Sequence, residues 1–173
     1  MLTRNNQEVA PMSRFPLFVA FVLVFGFTVV LGTGPASADA VISGFGCTID
    51  GNTLQVGGKI KDGKCWGGID VRLHGSIAPN LNDQCVDKGG LKWPCGVAAM
   101  KILAALIKQH SISCYHIDGE FDNGKPIVTC VSGRRDLALH MVKQGMAKAL
   151  HDQSKRYELE ERAAIKAKKG IWK

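Results

Sequence analysis

Apolar and polar side chains alternate along Cys47 to Asp50, Thr53 to Val56 and Ile69 to His74, the period of two that lays one face of a strand on a core. Asp50-Gly51-Asn52, Gly57-Gly58 and Asp62-Gly63 punctuate these runs, so residues 47 to 76 are predicted to form a β-meander. No period is sustained from Leu81 to Pro94, which reads as a loop. From Cys95 the spacing changes: Val97, Met100, Leu103, Ala104 and Ile107 recur every three or four residues and predict one face of a helix. Alternation returns from Ile112 to Asp118, with Ile112, Cys114 and His116 on one face, and Pro126 to Val131 is its partner strand across the turn Asp122-Asn123-Gly124. Asp136 is placed to cap a short helix carrying Leu137, Ala138, Met141 and Val142, with Gly145 as its stop. Ser154 to Lys169 is predicted to be a charged helix with Tyr157, Ala164 and Ala167 on one side, Glu158 and Arg162 spaced to pair, and Gly170 at its end. Five short strands, a helix after the third and two helices at the end predict an α+β fold, a small Greek-key barrel with helices. Periodicity alone leaves other α+β topologies open.

A different pattern precedes these elements. Arg4 and Arg14 lead into an apolar run from Phe15 to Leu31, followed by Gly32-Thr33-Gly34-Pro35 and Ala36-Ser37-Ala38. A charged start, an apolar middle and a small-residue end predict a secretory signal peptide over residues 1–38, cleaved to leave residues 39–173 as one domain. Met12 is an alternative start. An uncleaved membrane anchor is the competing reading of so long a run; after cleavage no stable membrane association is expected.

The six cysteines all lie beyond Ala38, and an even count in an exported chain reads as disulfides in a periplasmic or secreted protein. Local spacing suggests Cys47 with Cys65, Cys85 with Cys95, and Cys114 with Cys130. Zinc on Cys114 and His116, with His110 nearby, is the competing reading and lacks a Cys-x-x-Cys unit. The formal net charge of +7 points to an anionic partner, whether nucleic acid, acidic polysaccharide or a phospholipid headgroup; the plainer reading is that lysine-rich helices confer solubility. Lys166, Lys168 and Lys169 read first as a solvated face. His74, His110, His116, His140 and His151 are scattered and define no Ser-His-Asp or Cys-His order. Trp66, Trp93, Tyr115 and Tyr157 could stack bases, with core or loop packing the simpler role.

The segment Arg72-Leu73-His74-Gly75-Ser76-Ile77-Ala78-Pro79-Asn80 resembles the R-L-x-G-I-D-A-P-E block of the staphylococcal-nuclease (thermonuclease) family. Asp50-Gly51-Asn52-Thr53 is similar to that family's D-G-D-T, Trp93-Pro94-Cys95-Gly96 with Ala98-Ala99 to the start of its inserted helix, and Asn123-Gly124-Lys125 to its Y-G-R. Asp136-Leu137, Met141-Val142, Gly145, Ala147 and the terminal Gly170-Ile171-Trp172 complete a likeness that spans residues 50 to 172. The resemblance implies a five-stranded OB-fold barrel with three helices.

It also implies where a site would lie. In that family the second Asp of D-G-D-T, the Asp of D-A-P-E and a neighbouring main-chain carbonyl hold a calcium ion, the Glu serves the attacking water, and two arginines clamp the phosphate. Here Asn52 and Ile77 occupy the two carboxylate positions, with Asp50 nearby, and Asn80 occupies the Glu position. Calcium takes hard, anionic oxygens, whereas an amide offers a neutral oxygen and an isoleucine none. Asn80 can hold a water but cannot take its proton. Arg72 keeps the first arginine position and Lys125 replaces the second, retaining charge without the bidentate fork.

The degenerate catalytic positions are therefore Arg72, Lys125 and Asn80, the substrate-binding ones Arg72 and Lys125, and no metal or other cofactor is expected. What the resemblance implies is an exported nuclease-like protein that has lost calcium-dependent hydrolysis and binds an anionic polymer or acts as an accessory. The motifs are similar to those of secreted α-proteobacterial members, including a rhizobial one named for succinoglycan (exopolysaccharide) biosynthesis. The alternative is an active secreted phosphodiesterase on DNA or RNA, recruiting calcium through Asp50, Asn52 and solvent.

Overall fold

The computed structural model describes residues 41–173; the expected signal peptide, residues 1–38, lies outside the described residues. The first half of the chain is built of short strands: β1 (Val41–Gly44), β2 (Gly46–Thr48), β3 (Thr53–Val56), β4 (Lys59–Lys61), β5 (Lys64–Trp66), β6 (Ile69–Leu73), β7 (Ser76–Ile77), β8 (Cys85–Val86) and β9 (Lys92–Trp93). Helix α1 (Cys95–Ile107) precedes two longer strands, β10 (Ile112–Asp122) and β11 (Lys125–Ser132), and then β12 (Arg135–Asp136) and α2 (Leu137–Lys143). The chain closes with β13 (Lys148–Ala149), α3 (Glu158–Lys166) and a single 3-10 turn at Gly170–Trp172.

The main sheet runs β1-β10-β11-β6-β3-β2, with β12 also beside β11. Its neighbours are antiparallel except β11 and β6, which run parallel with Ile127 opposite Arg72. Seven strands enter this sheet rather than the five expected, because β1 adds to the open edge of β10 and the two-residue β12 to the end of β11. Strand β10 also runs four residues past the expected Asp118. Its register with β11 breaks between His116 and Phe121, an irregularity that lets the strand resume as far as Asp122. In the expected loop from Leu81 to Pro94, β8 and β9 form a small hairpin.

The alternating apolar positions meet where predicted: Leu54, Val56, Val71, Leu73, Ile112 and Val128 lie under α1 and α2 in one core with Leu103, Leu137, Met141 and Val142. The disulfides join Cys47 to Cys65, Cys85 to Cys95 and Cys114 to Cys130, the pairs that local spacing suggested. Cys114 is thus bonded to its register partner in β11 and is no thiolate ligand for zinc. Three disulfides mark an oxidising, extracytoplasmic environment. Among the described residues no helix is long and apolar enough to cross a membrane.

Helix α1 is rotated from its expected face. Its buried residues are Cys95, Gly96, Ala99, Leu103, Leu106 and Ile107, while Val97, Met100 and Ala104 are only half-buried. The cause is close packing of small residues. A Cβ on Gly96 would lie 1.8 Å from the Asn80 carbonyl oxygen, and one on Gly51 would lie 2.6 Å from the Ala99 Cβ and 2.8 Å from that of Ala78. The helix start has no side-chain cap; the Gly96 N–H instead donates to the Asp83 carbonyl at 3.3 Å. Packing thus draws the Asp50 turn, the 78–83 loop and the α1 N-terminus together.

The C-terminal segment differs in a related way. Helix α3 begins at Glu158, not Ser154, because Tyr157 turns inward, fully buried, and donates its hydroxyl to the Asp136 carboxylate at 3.2 Å. Burial and that carboxylate both push the Tyr157 phenol well above its usual pKa. Asp136 is the expected cap of α2, accepting from the Leu139 N–H at 3.0 Å, and it also pairs with Arg156 at 3.0 Å. Ala167, expected on the inner side of α3, is exposed, and Glu161 is buried instead. Glu161 accepts the Ala149 N–H at 2.9 Å and meets His151 Nε2 at 2.8 Å; Glu158 faces His151 Nδ1 at 3.3 Å rather than pairing with Arg162.

Two outcomes follow for stability. Gly96→Ala should destabilise the fold by about 2–3 kcal/mol in urea unfolding, because the colliding atoms are backbone, whereas exposed Lys101→Ala in the same helix should change it by no more than about 0.5 kcal/mol. The hydrogen bonds to Glu161 and Glu158 raise the His151 pKa above its usual value. A raised folded pKa stabilises fully below the unfolded value of about 6.5, and the contribution is lost as pH rises through the folded value. The gap in melting temperature between wild type and His151→Ala should therefore be widest near pH 6 and shrink towards about pH 9; a gap independent of pH would exclude the charged interaction.

Candidate functional site

The Asp50 turn is held by its own carboxylate. Asp50 Oδ1 accepts the N–H groups of Asn52 and Thr53, each at 2.7 Å, the local bonding that Asp provides in turns. This presents Asn52 inward, 4% exposed, where its Nδ2 donates to the Leu73 carbonyl at 3.4 Å and its Oδ1 accepts from Ser76 Oγ at 3.1 Å. The Leu73 N–H returns a bond to the Asn52 carbonyl at 3.0 Å. Both ends of the amide are committed to the protein.

Arg72 projects from the centre of the sheet into a pocket of about 260 Å³ lined also by Ser76, Asp122, Ile127, Leu150 and Gln153. Its Nη1 lies 2.5 Å from Asp122 Oδ2, and each side chain is 33% exposed. The break in β10 is what carries Asp122 to this point. Lys125 opposes Asp122 in the β10–β11 register, half-buried at the same end of the sheet.

Ile77, next in the chain to Ser76, and Asn80 do not line the Arg72 pocket. Both line a second cleft, of about 440 Å³, with Ala78, Pro79, Asp83, Lys148 and Ile171. Ile77, 38% exposed, sits in β7 opposite Lys148. Asn80 is turned onto its own loop: its N–H and Nδ2 both donate to Asp83 Oδ2, at 2.8 and 3.1 Å. Among the described residues no group of three or more His, Cys, Asp or Glu side chains is arranged to hold a metal ion.

The residues expected from the sequence are thus divided. Arg72 stands in one pocket, Ile77 and Asn80 in another, and buried Asn52 touches the Arg72 pocket through Ser76. Sequence reasoning missed Asp122, Asp83 and Ser76. Asp83 carried a readable signal, three residues after Asn80 where a local side-chain bond is common. Asp122 carried none, being read as a turn residue fifty positions from Arg72.

A mixed sheet with a helix inserted after its first strands and two helices at its end is consistent with an OB fold of the nuclease type. The sequence model of the family described as Staphylococcal nuclease homologue matches residues 70–173, and the chain belongs to that family. A comparison with curated proteins gave no match.

Asn52→Asp would exchange the donor facing the Leu73 carbonyl for a second acceptor in a buried position. In chelator this variant should lose about 1–3 kcal/mol of stability in urea unfolding. An unchanged midpoint would show that the amide bonds contribute nothing.

Proposed function

We propose that this protein is an exported, nuclease-like member of its family that has lost calcium-dependent hydrolysis and works by binding an anionic polymer, as an accessory in the periplasm or outside the cell. The observation that carries the reading is the commitment of Asn52. Its amide is bonded at both ends to Leu73 and Ser76, so the one side-chain oxygen left at the two carboxylate positions is turned into the fold. Ile77 brings no ligand atom, and Asp50 spends one carboxylate oxygen on two N–H groups. This donor set does not fit calcium, which takes six to eight oxygens, several of them anionic. Asn80, bonded to Asp83, is neither a base nor free to orient a water.

Arg72 and Lys125 keep positive charge at the site, and polymer binding can outlast turnover. Nucleic acid and an acidic polysaccharide both meet this requirement; an exopolysaccharide such as succinoglycan is the form the second would take. The rival reading, an active phosphodiesterase on DNA or RNA, draws support from the exposure of the Arg72–Asp122 pair. A pair one-third exposed is worth no more than about 1 kcal/mol, so a phosphate can displace Asp122.

The test is hydrolysis of single-stranded DNA and RNA by the disulfide-bonded protein with calcium and with chelator, beside Arg72→Ala and the triple variant Asn52→Asp, Ile77→Asp, Asn80→Glu. The proposal expects no calcium-dependent cleavage by the wild type, a gain in the triple variant, and retention of the wild type on anionic polymer that falls steeply with salt. Calcium-dependent cleavage that disappears in Arg72→Ala would overturn it in favour of the phosphodiesterase.

A further inference from the structure

The hairpin of β4 and β5 carries a surface that the nuclease-type site does not use. Asp62 and Gly63 form its two-residue turn, with φ of 51° and 72°, the positive values that match the twist of paired strands. The register sets Lys59 opposite Trp66, Ile60 opposite Cys65 and Lys61 opposite Lys64. Opposed residues share a face, as do alternate ones along a strand. Lys59, Lys61, Lys64 and Trp66 therefore lie together on one face, and Ile60 and Cys65 on the other.

That other face is anchored. Cys65 is bonded to Cys47 of β2, and Ile60, itself 74% exposed, borders with Cys65 a cleft against α1, so the disulfide is the tie on this side. At the neck two glycine pairs bring the strands into backbone contact; a Cβ on Gly68 would lie 2.4 Å from both the Gly58 nitrogen and the Val56 carbonyl oxygen. The lysine and tryptophan face is thereby held outward, with all three lysines exposed and Trp66 61% exposed. The two other tryptophans are used internally: Lys173 Nζ lies 4.4 Å from the Trp93 ring and Lys148 Nζ 5.7 Å from that of Trp172.

By itself this face is unfavourable. Like charges directly opposed destabilise a hairpin, and Lys61 and Lys64 are so placed with Lys59 beside them; the hairpin's one carboxylate, Asp62, sits in the turn. An exposed indole adds apolar surface to water. Both costs are relieved by a ligand that carries closely spaced negative charge and presents flat rings. We propose that this face binds single-stranded nucleic acid, with phosphates on Lys59, Lys61 and Lys64 and a base stacked on Trp66. The inference rests on the anionic-polymer reading above and names the surface and the polymer.

Charge density separates the candidates. A nucleic acid carries a charge and a stackable ring on every unit, matching three cations and an indole gathered on three residue pairs. A duplex keeps its bases stacked on one another, so the indole favours the single strand. The Arg72 pocket includes none of the hairpin residues, so the two surfaces can be altered separately.

The experiment is fluorescence anisotropy of a labelled oligothymidylate titrated with the disulfide-bonded protein in chelator at several salt concentrations, repeated with a duplex and with an acidic polysaccharide as competitor. The wild type should bind the single strand more tightly than the duplex. Replacing Lys59, Lys61 and Lys64 with Gln should reduce the slope of log K against log salt by about 2. Trp66→Ala should weaken binding on the order of tenfold with little change of slope, and Trp66→Phe should restore most of it. Thermal melts check that the variants fold, as expected for exposed positions. Oligonucleotide binding unchanged in both variants would overturn the hairpin site and leave the anionic-polymer reading standing. No salt-sensitive binding to oligonucleotide or polysaccharide would overturn both. Trp66→Ala losing polysaccharide but not oligonucleotide would overturn the polymer assigned here.

Discussion

The buried amide of Asn52 is the joint on which the site end of this molecule depends. An amide offers a donor and an acceptor at once, and here the Leu73 carbonyl takes the first while Ser76 Oγ supplies the second. Three segments, the Asp50 turn, the end of β6 and the start of β7, are tied through one side chain. A carboxylate in this position would face a carbonyl with two acceptors and would need a cation or a proton beside it. Under the proposed function, a cation-dependent site has become a neutral one in which hydrogen bonds carry the closure. The small residues around it serve the same closure, since Gly51, Ala78, Ala99 and Gly96 let the turn, the loop and α1 meet at contact distance.

Charge is divided along similar lines. Where the family resemblance places phosphate, the Arg72 guanidinium is already matched by Asp122. At the C-terminal corner, Arg156 and His151 are matched by Asp136, Glu158 and Glu161, with two of these carboxylates also capping backbone N–H groups. The pairs at the C-terminal corner tie that segment to α2 and β13, whereas the one-third-exposed Arg72–Asp122 pair remains open to exchange. The β4–β5 hairpin is the contrast: its lysines are opposed to one another, exposed, and beside an open indole. The positive charge that composition reports is therefore not one property. Part of it is structural and part is available.

Much of the fold could be read from local pattern. The strands expected over Thr53 to Val56, Ile69 to His74 and Pro126 to Val131, the Asp136 cap and the helix from Cys95 all report physics acting over a few residues, and they formed to within a residue at their ends. Errors fell where a distant partner overrode the local preference. Periodicity chose the wide apolar stripe of α1, but the touching backbones at Gly96 and Asn80 turned the helix towards Ala99 and Leu106. The charged sequence from Ser154 suited a helix, but burial of Tyr157 against Asp136 delayed it to Glu158. At the candidate site the residue identities at 52, 77, 80 and 125 were legible, and their separation into two pockets was not.

The order of residues fixes which chemical groups exist and which short-range elements form, because capping, alternation and turn geometry involve neighbours along the chain. It therefore already carried the family likeness and the absence of carboxylates at the expected ligand positions, and its local spacing suggested the cysteine pairs that the fold then joined. What each remaining polar group faces was set by the packing of distant segments. Asn52 turned inward, Asp122 reached Arg72 across fifty residues, and three lysines were left outward on one hairpin face. Whether a charge is compensated or free depends on distance in space, which strand register and helix packing set and which no local pattern encodes.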